Sequence, residues 1–254
     1  MGMEARELVV PERYRGPEGM ANGGWISGML ASHLPQNGVV EVTLRAPTPL
    51  GESLRVTRTD DGGVVLGRDG TVLVEARPGG PEPEAPPFVP LDVAEKAERD
   101  FPGTAVHPFP GCFACGEREP GDGLRIHPGP VPAQALGTAP APGEAAGMVA
   151  ATWYAHPLLG DWSESLPLTH VWGALDCVGG WAHMQGDGGA ALLGRLAARV
   201  HRTVFIGQTY VVVARREGRD GRKLYSSSAI YRPDGRLVAA ARATWIGVPA
   251  GPAE

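Results

Sequence analysis

One order of elements occurs twice along this chain, and it restricts the fold more than any other feature. In each half an apolar helix candidate precedes four strand candidates that are separated by glycine-containing turns. The helices are Ala21–Leu34, which Pro35 ends, and about Thr169–Met184. A twisted antiparallel sheet that follows an apolar helix can bury that helix by wrapping around it. The sequence therefore predicts an α+β fold made of two such units.

Alternating runs bounded by turn residues predict the strands. The first half has strands at Val39–Ala46, Ser53–Thr59, Gly63–Gly67 and Thr71–Ala76. The second half has strands at Leu192–Val200, Gln208–Arg215, Lys223–Tyr231 and Leu237–Ile246. Further strands are predicted before the helices, at Leu124–His127 and Met148–Tyr154 in the second half and only at Leu8–Val10 in the first. The first half therefore has fewer strands before its helix than the second half, and we call it the trimmed half.

Composition divides the chain into three segments. Residues 1–78 form the trimmed first unit, and residues 106–250 form the second unit. Between them, residues 79–105 are rich in Pro, Gly and Glu at first and then contain a short helix near Leu91–Asp100, which predicts a linker. The two sheets are expected to pair edge to edge or to pack together, because both arrangements hide exposed strand edges.

Charge and composition exclude several classes of function. The 254-residue chain has a net charge of −5 and no stripe of Lys and Arg, so we expect no nucleic-acid partner. No apolar run has the roughly 20 residues of a membrane span, and the first residues do not form a signal peptide, which predicts a cytoplasmic protein without a membrane partner. Three cysteines are an odd number, so a disulfide framework is not expected.

The second helix contains one acid, Asp176, in the almost wholly apolar run Val171–Ala182. Trp172, Gly179 and Gly180 lie three or four positions from it, on the same side of the helix, so we expect a semi-buried carboxylate beside a space left by glycine. Burying an unpaired carboxylate is costly. Asp176 is therefore either a structural acid bonded to a backbone group or arginine, or a group used in chemistry.

Three motifs, in the order in which they occur along the chain, resemble those of a known family. They are Cys112–Gly116, Gly121–Leu124 and the helix Ala174–Ala182. With the order of elements, they resemble the hot-dog-fold acyl-CoA thioesterases of the phenylacetic-acid-degradation type, and the whole chain resembles a tandem double hot-dog. The resemblance is clearest over residues 109–246 and weaker over 16–77, where Asn22–Gly24 is similar to the family's His-Gly-Gly turn.

The resemblance implies a site that the two halves share. In the family, backbone N–H groups at the helix start bind the thioester carbonyl, and an acid on the partnering helix acts on water or on the carbonyl carbon. The first half keeps the turn as Asn22, Gly23 and Gly24 but has Ala31 at the position of the acid. The second half keeps the acid as Asp176 but lacks the turn. The resemblance thus implies one composite catalytic site that contains Asn22, Gly23, Gly24 and Asp176.

The resemblance implies hydrolysis of acyl-CoA or another acyl thioester, without a cofactor, and leaves a homodimer of double hot-dogs open. Two alternatives remain: a non-catalytic hot-dog that binds acyl thioesters or serves as a scaffold, and a hot-dog hydratase or dehydratase. Cys112 and Cys115 could be half of a zinc site or a redox pair, but the sequence lacks a second closely spaced Cys/His pair. We therefore predict a structural turn there and no metal.

Other candidate residues favour ordinary structural roles. A histidine at a helix end usually lies at the surface or complements the helix dipole, so we expect His170 and His183 to have such a role. Trp25, Trp172 and Trp181 recur at helical spacing, which predicts core positions rather than an aromatic substrate cage.

Overall fold

A computed structural model of the chain describes residues 6–136, 147–160, 163–184 and 189–248. The helices in these ranges are α1 (Gly23–Ala31), α2 (Leu91–Glu98) and α3 (Leu168–Trp181). The strands are β1 (Arg6–Val9), β2 (Val40–Leu44), β3 (Ser53–Arg58), β4 (Val64–Arg68), β5 (Thr71–Pro78), β6 (Gly129–Pro130), β7 (Met148–Tyr154), β8 (Ala190–Val200), β9 (Thr209–Asp220), β10 (Lys223–Tyr231) and β11 (Leu237–Val248). Within the same ranges, no helix has the length and apolarity needed to cross a membrane.

The strands of both halves belong to one antiparallel sheet. Its order is β1-β3-β4-β5-β2-β8-β11-β10-β9-β7-β6. The two halves meet where β2 pairs with β8, with Val40 opposite Ala198 and Thr43 opposite Arg195. The predicted units therefore pair edge to edge, and each one covers a strand edge that the other would expose.

Helices α1 and α3 lie side by side in one continuous core. Trp25, Ile26 and Leu30 of α1 are buried in the same cluster as Trp172 and Leu175 of α3. Helix α1 packs mainly against β2 and β5 and also contacts β8 of the other half, whereas α3 packs mainly against β8 to β11. This arrangement confirms the α+β fold in which the sheet wraps around two apolar helices.

The segment predicted as a linker packs on the other face of the sheet. Residues 79–90 have no helix or strand, but Val89 and Ala94 are fully buried in a second cluster with Ala150 of β7 and Val213 of β9. Strand β7 and the first part of β9, up to Ala214, are therefore apolar on both faces. The division into 1–78, 79–105 and 106–250 stays a prediction. Residues 1–5, 137–146, 161–162, 185–188 and 249–250 lie outside the described part of the chain.

The predicted strand at Leu124–His127 is wrong. The N–H of Leu124 donates to the carbonyl of Phe113 at 2.8 Å, and that of Ile126 donates to the carbonyl of Ala114 at 2.9 Å. Arg125, between them, has a φ of +55°, which is not a strand conformation. This segment therefore braces the loop that contains Cys112 and Cys115 instead of joining the sheet.

Candidate functional site

Glycine allows α1 and α3 to approach each other closely. A Cβ added to Gly24 would lie 2.4 Å from the Cβ of Asp176 and 2.6 Å from the carbonyl oxygen of Trp172. One turn later, a Cβ on Gly28 would lie 2.8 Å from the Cα of Thr169. All three distances are too short for any side chain. The Gly24 contact brings the first turn of α1 directly against Asp176.

The glycines of α3 do not leave the space that the sequence suggests. A Cβ on Gly179 would meet the hydroxyl of Ser226 at 2.5 Å, and one on Gly180 would meet the ring of Trp245 at 3.1 Å. The expectation of an open space beside Gly179 and Gly180 is therefore wrong, because β10 and β11 fill it. The glycine that makes room for Asp176 is Gly24, on the other helix.

Asn22 links the first turn of α1 to the acid of α3. Its side-chain Oδ1 caps the helix by accepting from the N–H of Trp25 at 2.8 Å. Its Nδ2 donates to Oδ2 of Asp176 at 3.1 Å. The side chain is only 2% exposed, so it has no competing contact with bulk water. One buried amide thus caps α1 and orients Asp176.

Asp176 is a buried carboxylate with one oxygen held and one without a partner. Its Oδ2 accepts from the N–H of Gly24 at 2.7 Å and from Asn22. Its Oδ1 has no hydrogen-bond partner among the described residues, and the residue is 2% exposed. Burial raises the pKa of Asp176 to about 7, and the bonds from Gly24 and Asn22 oppose that rise. The sequence predicts a semi-buried carboxylate, and the structure buries it almost completely.

An apolar cavity of about 280 Å³ opens beside these groups. Asp176, Asn22 and Gly23 line one part of it, and the cavity walls are mostly hydrophobic. The walls include Phe109, Trp181, Leu193 and Trp245. The N–H of Gly23 has no hydrogen-bond partner among the described residues, as expected for a residue in the first turn of a helix. The structure therefore places all four sequence-predicted site residues together, at or next to one cavity.

The start of α3 and the position of α1 that corresponds to Asp176 lack the polar groups of this site. Asp176 lies nine residues after Pro167, the N-cap of α3, and Ala31 lies nine residues after Asn22, the N-cap of α1. Ala31 is the counterpart of Asp176, and it is fully buried without a polar group. Pro167 makes no side-chain cap bond. The pseudo-symmetric position therefore has neither the acid nor the capped turn.

One cysteine of the site, Cys177, is not predicted from the sequence. Cys112 and Cys115 lie in the loop before β6, and Cys177 of α3 joins them, with 3.5 Å between the Sγ atoms of Cys112 and Cys177. All three residues also line the cavity. Bonds from the neighbouring Cys115 and Cys177 thiols lower the pKa of Cys112. A possible signal was present in the sequence, because Cys177 directly follows Asp176 on the helix.

His170 is buried, which excludes the surface position, one of the two roles predicted for it. It is 3% exposed, its Nδ1 lies 3.0 Å from the hydroxyl of Thr169, and its ring meets Tyr14 and Phe113 edge on. Burial, followed by the charge of Arg13, lowers the pKa of His170 to about 4. The first turn of α3 is enclosed by the loop segments before α1 and β6, which the local sequence of the helix does not reveal.

The burial of His170 predicts a loss of stability in acid. The unfolded chain binds a proton at His170 near pH 6.5, whereas the folded chain binds it only near pH 4, so the stability that neutral His170 provides is lost as pH falls through that interval. We expect the free energy of unfolding from urea titrations to fall more steeply between pH 7 and pH 4 in the wild type than in His170→Gln. Equal slopes for the two proteins would contradict this assignment.

The comparisons with known proteins support the fold. No protein-family model and no curated protein matches the chain. Among solved structures, a tesB protein from Mycobacterium avium subsp. paratuberculosis aligns over 97% of this chain and 96% of its own, with a TM-score of 0.60 and 13% identity. An acyl-CoA thioesterase II from Mycobacterium marinum aligns over 92% of both chains, with a TM-score of 0.56 and 17% identity.

A third similar structure is named as a hot-dog fold. It is a conserved protein of unknown function with a hot-dog fold from Alicyclobacillus acidocaldarius, and it aligns over 98% of this chain and 97% of its own, with a TM-score of 0.55 and 12% identity. These similarities extend over almost the whole chain, including both helices and both halves of the sheet. The chain therefore has the tandem double hot-dog fold that its sequence resembles.

Proposed function

We propose that this chain hydrolyses acyl-CoA or another acyl thioester at the composite site of Asn22, Gly23, Gly24 and Asp176. The observation that carries the proposal is the environment of Asp176. One of its oxygens is fixed by two donors from α1, the other has no partner, and the residue faces an apolar cavity. A partnerless buried oxygen is costly in a protein interior and is expected where an acid is kept for chemistry.

The geometry supports a division of roles within this site. An acyl chain would occupy the apolar part of the cavity, with its thioester carbonyl near the N–H of Gly23 at the positive end of α1. Asp176 would then either take a proton from an attacking water or attack the carbonyl carbon itself. In both routes water is consumed and a carboxylic acid and a free thiol are released. Asn22 positions Asp176 and remains outside the reacting groups.

One observation favours a non-catalytic acyl-thioester-binding protein as the second candidate. In the family that the sequence resembles, N–H groups at the helix start bind the carbonyl, but here the N–H of Gly24 is already bonded to Asp176 at 2.7 Å. Only the Gly23 N–H of this turn remains for a substrate. A site with fewer donors stabilises a developing oxyanion less, which lowers turnover more than binding.

The hydratase alternative has less support. Such an enzyme needs a second acid or base beside Asp176, and His107 is the histidine that lines the cavity. Its Nε2 lies 3.1 Å from the carbonyl of Cys115, and its Nδ1 accepts from the N–H of Phe109 at 3.0 Å. Both ring nitrogens are therefore engaged with the backbone, and His107 is not available as that partner.

Three readouts on the same protein separate these functions. The hydrolase releases free thiol from acyl-CoA, which a thiol reagent detects. A hydratase changes the absorbance of an enoyl-CoA without releasing thiol, and a binding protein does neither but gains thermal stability with acyl-CoA. Thiol release that increases in proportion to enzyme concentration would support the proposal, whereas a thermal shift without release would favour the binding protein.

The size of the cavity predicts a preference for compact acyl groups. Its volume of about 280 Å³ lies at the low end of the roughly 300–1,000 Å³ that is usual for small-molecule pockets. We expect kcat/KM to be at least about tenfold lower for palmitoyl-CoA than for hexanoyl-CoA. Leu193→Ala, which enlarges the cavity next to Gly23, should reduce that difference. Equal kcat/KM values for both substrates would contradict the assignment of this cavity.

A further inference from the structure

The three cysteines form one compact cluster. The Sγ atoms of Cys112, Cys115 and Cys177 all lie within 4.8 Å of one another, and those of Cys112 and Cys177 are 3.5 Å apart. Cys112 and Cys115 are 3% exposed, and Cys177 is half-buried at the cavity. These are all the cysteines of the chain, and they come from two segments more than 60 residues apart. Their convergence at one point therefore requires an explanation beyond local sequence.

We propose that Cys112, Cys115 and Cys177 bind one thiophilic divalent cation, Zn²⁺, and leave its fourth coordination position on the cavity side. Zinc–sulfur bonds of about 2.3 Å in a tetrahedron place neighbouring sulfur atoms about 3.8 Å apart. The separation between Cys112 and Cys177 is 3.5 Å and every other pair lies within 4.8 Å, so binding requires only small side-chain movements. This inference concerns metal binding alone and does not rest on the proposed hydrolysis.

The surroundings of the cluster suit thiolate ligands. Nδ2 of Asn22 points at two of the sulfurs, 3.6 Å from Sγ of Cys112 and 3.7 Å from Sγ of Cys177. Such N–H donors orient metal ligands and stabilise their charged form. The loop is also held rigidly, because the N–H of Gly116 donates to the carbonyl of Cys112 at 2.9 Å. The ligands are therefore largely in place before a metal binds.

The described residues supply three ligands and no fourth. Both ring nitrogens of His107 bond to the backbone. Oδ2 of Asp176 lies 3.9 Å from Sγ of Cys177 and already accepts from two N–H donors. The fourth ligand is thus a water molecule or a molecule in the cavity. Three protein ligands with one open position are typical of zinc sites that bind exogenous ligands.

Metal analysis and cobalt spectroscopy of the full chain test this proposal. We expect about one zinc per chain in protein purified under reducing conditions. Replacing zinc with Co²⁺ should produce a thiolate-to-cobalt charge-transfer band and the visible bands of a tetrahedral ion. Cys115→Ser and Cys177→Ser should weaken Co²⁺ binding by more than the roughly 10- to 100-fold that loss of an outer partner causes. Ser226→Ala, a buried polar change near α3 that leaves the sulfurs intact, should bind cobalt as the wild type does.

A second measurement covers variants that fail to fold. In the wild type, zinc should protect all three thiols from alkylation, and a chelator should expose them, as counted by mass spectrometry. Absence of metal together with absence of the cobalt charge-transfer band would overturn the proposal. A wild-type mass lower by two hydrogens, with Cys112 and Cys177 joined as a disulfide and no metal bound, would overturn it as well.

Discussion

Asp176→Asn should reduce kcat for thioester hydrolysis by at least about 100-fold, since positioned acid–base groups contribute roughly 10²- to 10⁴-fold. The amide keeps the shape of the carboxylate, and its oxygen can still accept from Gly24 and Asn22. The group that takes a proton from water or attacks the carbonyl carbon is lost. Steady-state thiol release by wild type and variant, over a range of acyl-CoA concentrations, measures the effect.

Two further measurements test whether the lost turnover of Asp176→Asn reflects the chemistry of Asp176 and not a loss of stability. Thermal unfolding of Asp176→Asn should show no loss of stability, because a neutral amide costs less to bury than a carboxylate. Asn22→Ala should reduce turnover less than Asp176→Asn, while losing about 1 kcal/mol of stability with the helix cap. Turnover by Asp176→Asn equal to that of the wild type would remove Asp176 from the mechanism.

Gly24→Ala is expected to be the most destabilising single change at the site. The new methyl group would lie 2.4 Å from the Cβ of Asp176 and 2.6 Å from a backbone oxygen of Trp172. Overpacking of a core typically costs about 1–3 kcal/mol. Because the backbone of α3 cannot rotate away as a side chain can, we expect a cost of about 3 kcal/mol for this change. Because α1 must then move away from α3, the bonds from α1 to Asp176 should be lost and hydrolysis with them.

Gly38→Ala is a matched control for that variant. A Cβ on Gly38 would have no atom within 4 Å, and its φ lies in the ordinary range. Its free energy of unfolding should stay within about 0.5 kcal/mol of the wild type. Urea titrations of the three proteins give both values. Similar destabilisation by Gly24→Ala and Gly38→Ala would show that close packing of α1 on α3 is not what Gly24 provides.

Long elements with regular patterns could be predicted from the sequence alone. The predicted strands Met148–Tyr154 and Lys223–Tyr231 match β7 and β10 residue for residue, because clear turns or alternation bound them. Leu124–His127 shows the limit of that approach. Its apolar alternation is real, but Leu124 and Ile126 are buried against the cysteine loop and the φ of Arg125 interrupts the strand.

Part of the site could also be predicted from the sequence. What each half retains predicts that Asn22 and Asp176 share a site, and in the structure Nδ2 of Asn22 lies 3.1 Å from Oδ2 of Asp176. The sequence does not show which glycine makes room for the acid, because this depends on how α1 packs against α3. In the structure that glycine is Gly24, and not Gly179 or Gly180. The sequence does not reveal that Cys177 belongs to the site, because its partners lie in a distant loop and no spacing rule connects the three cysteines.

A crystal structure with a non-hydrolysable ketone analogue of hexanoyl-CoA tests most directly whether the two halves share one site. We predict that the acyl chain fills the cavity lined by Phe109 and Leu193, with the ketone oxygen within hydrogen-bond distance of the Gly23 N–H and the carbonyl carbon facing Asp176. An analogue bound away from Asp176, or at Pro167 and Ala31 instead, would contradict the composite site.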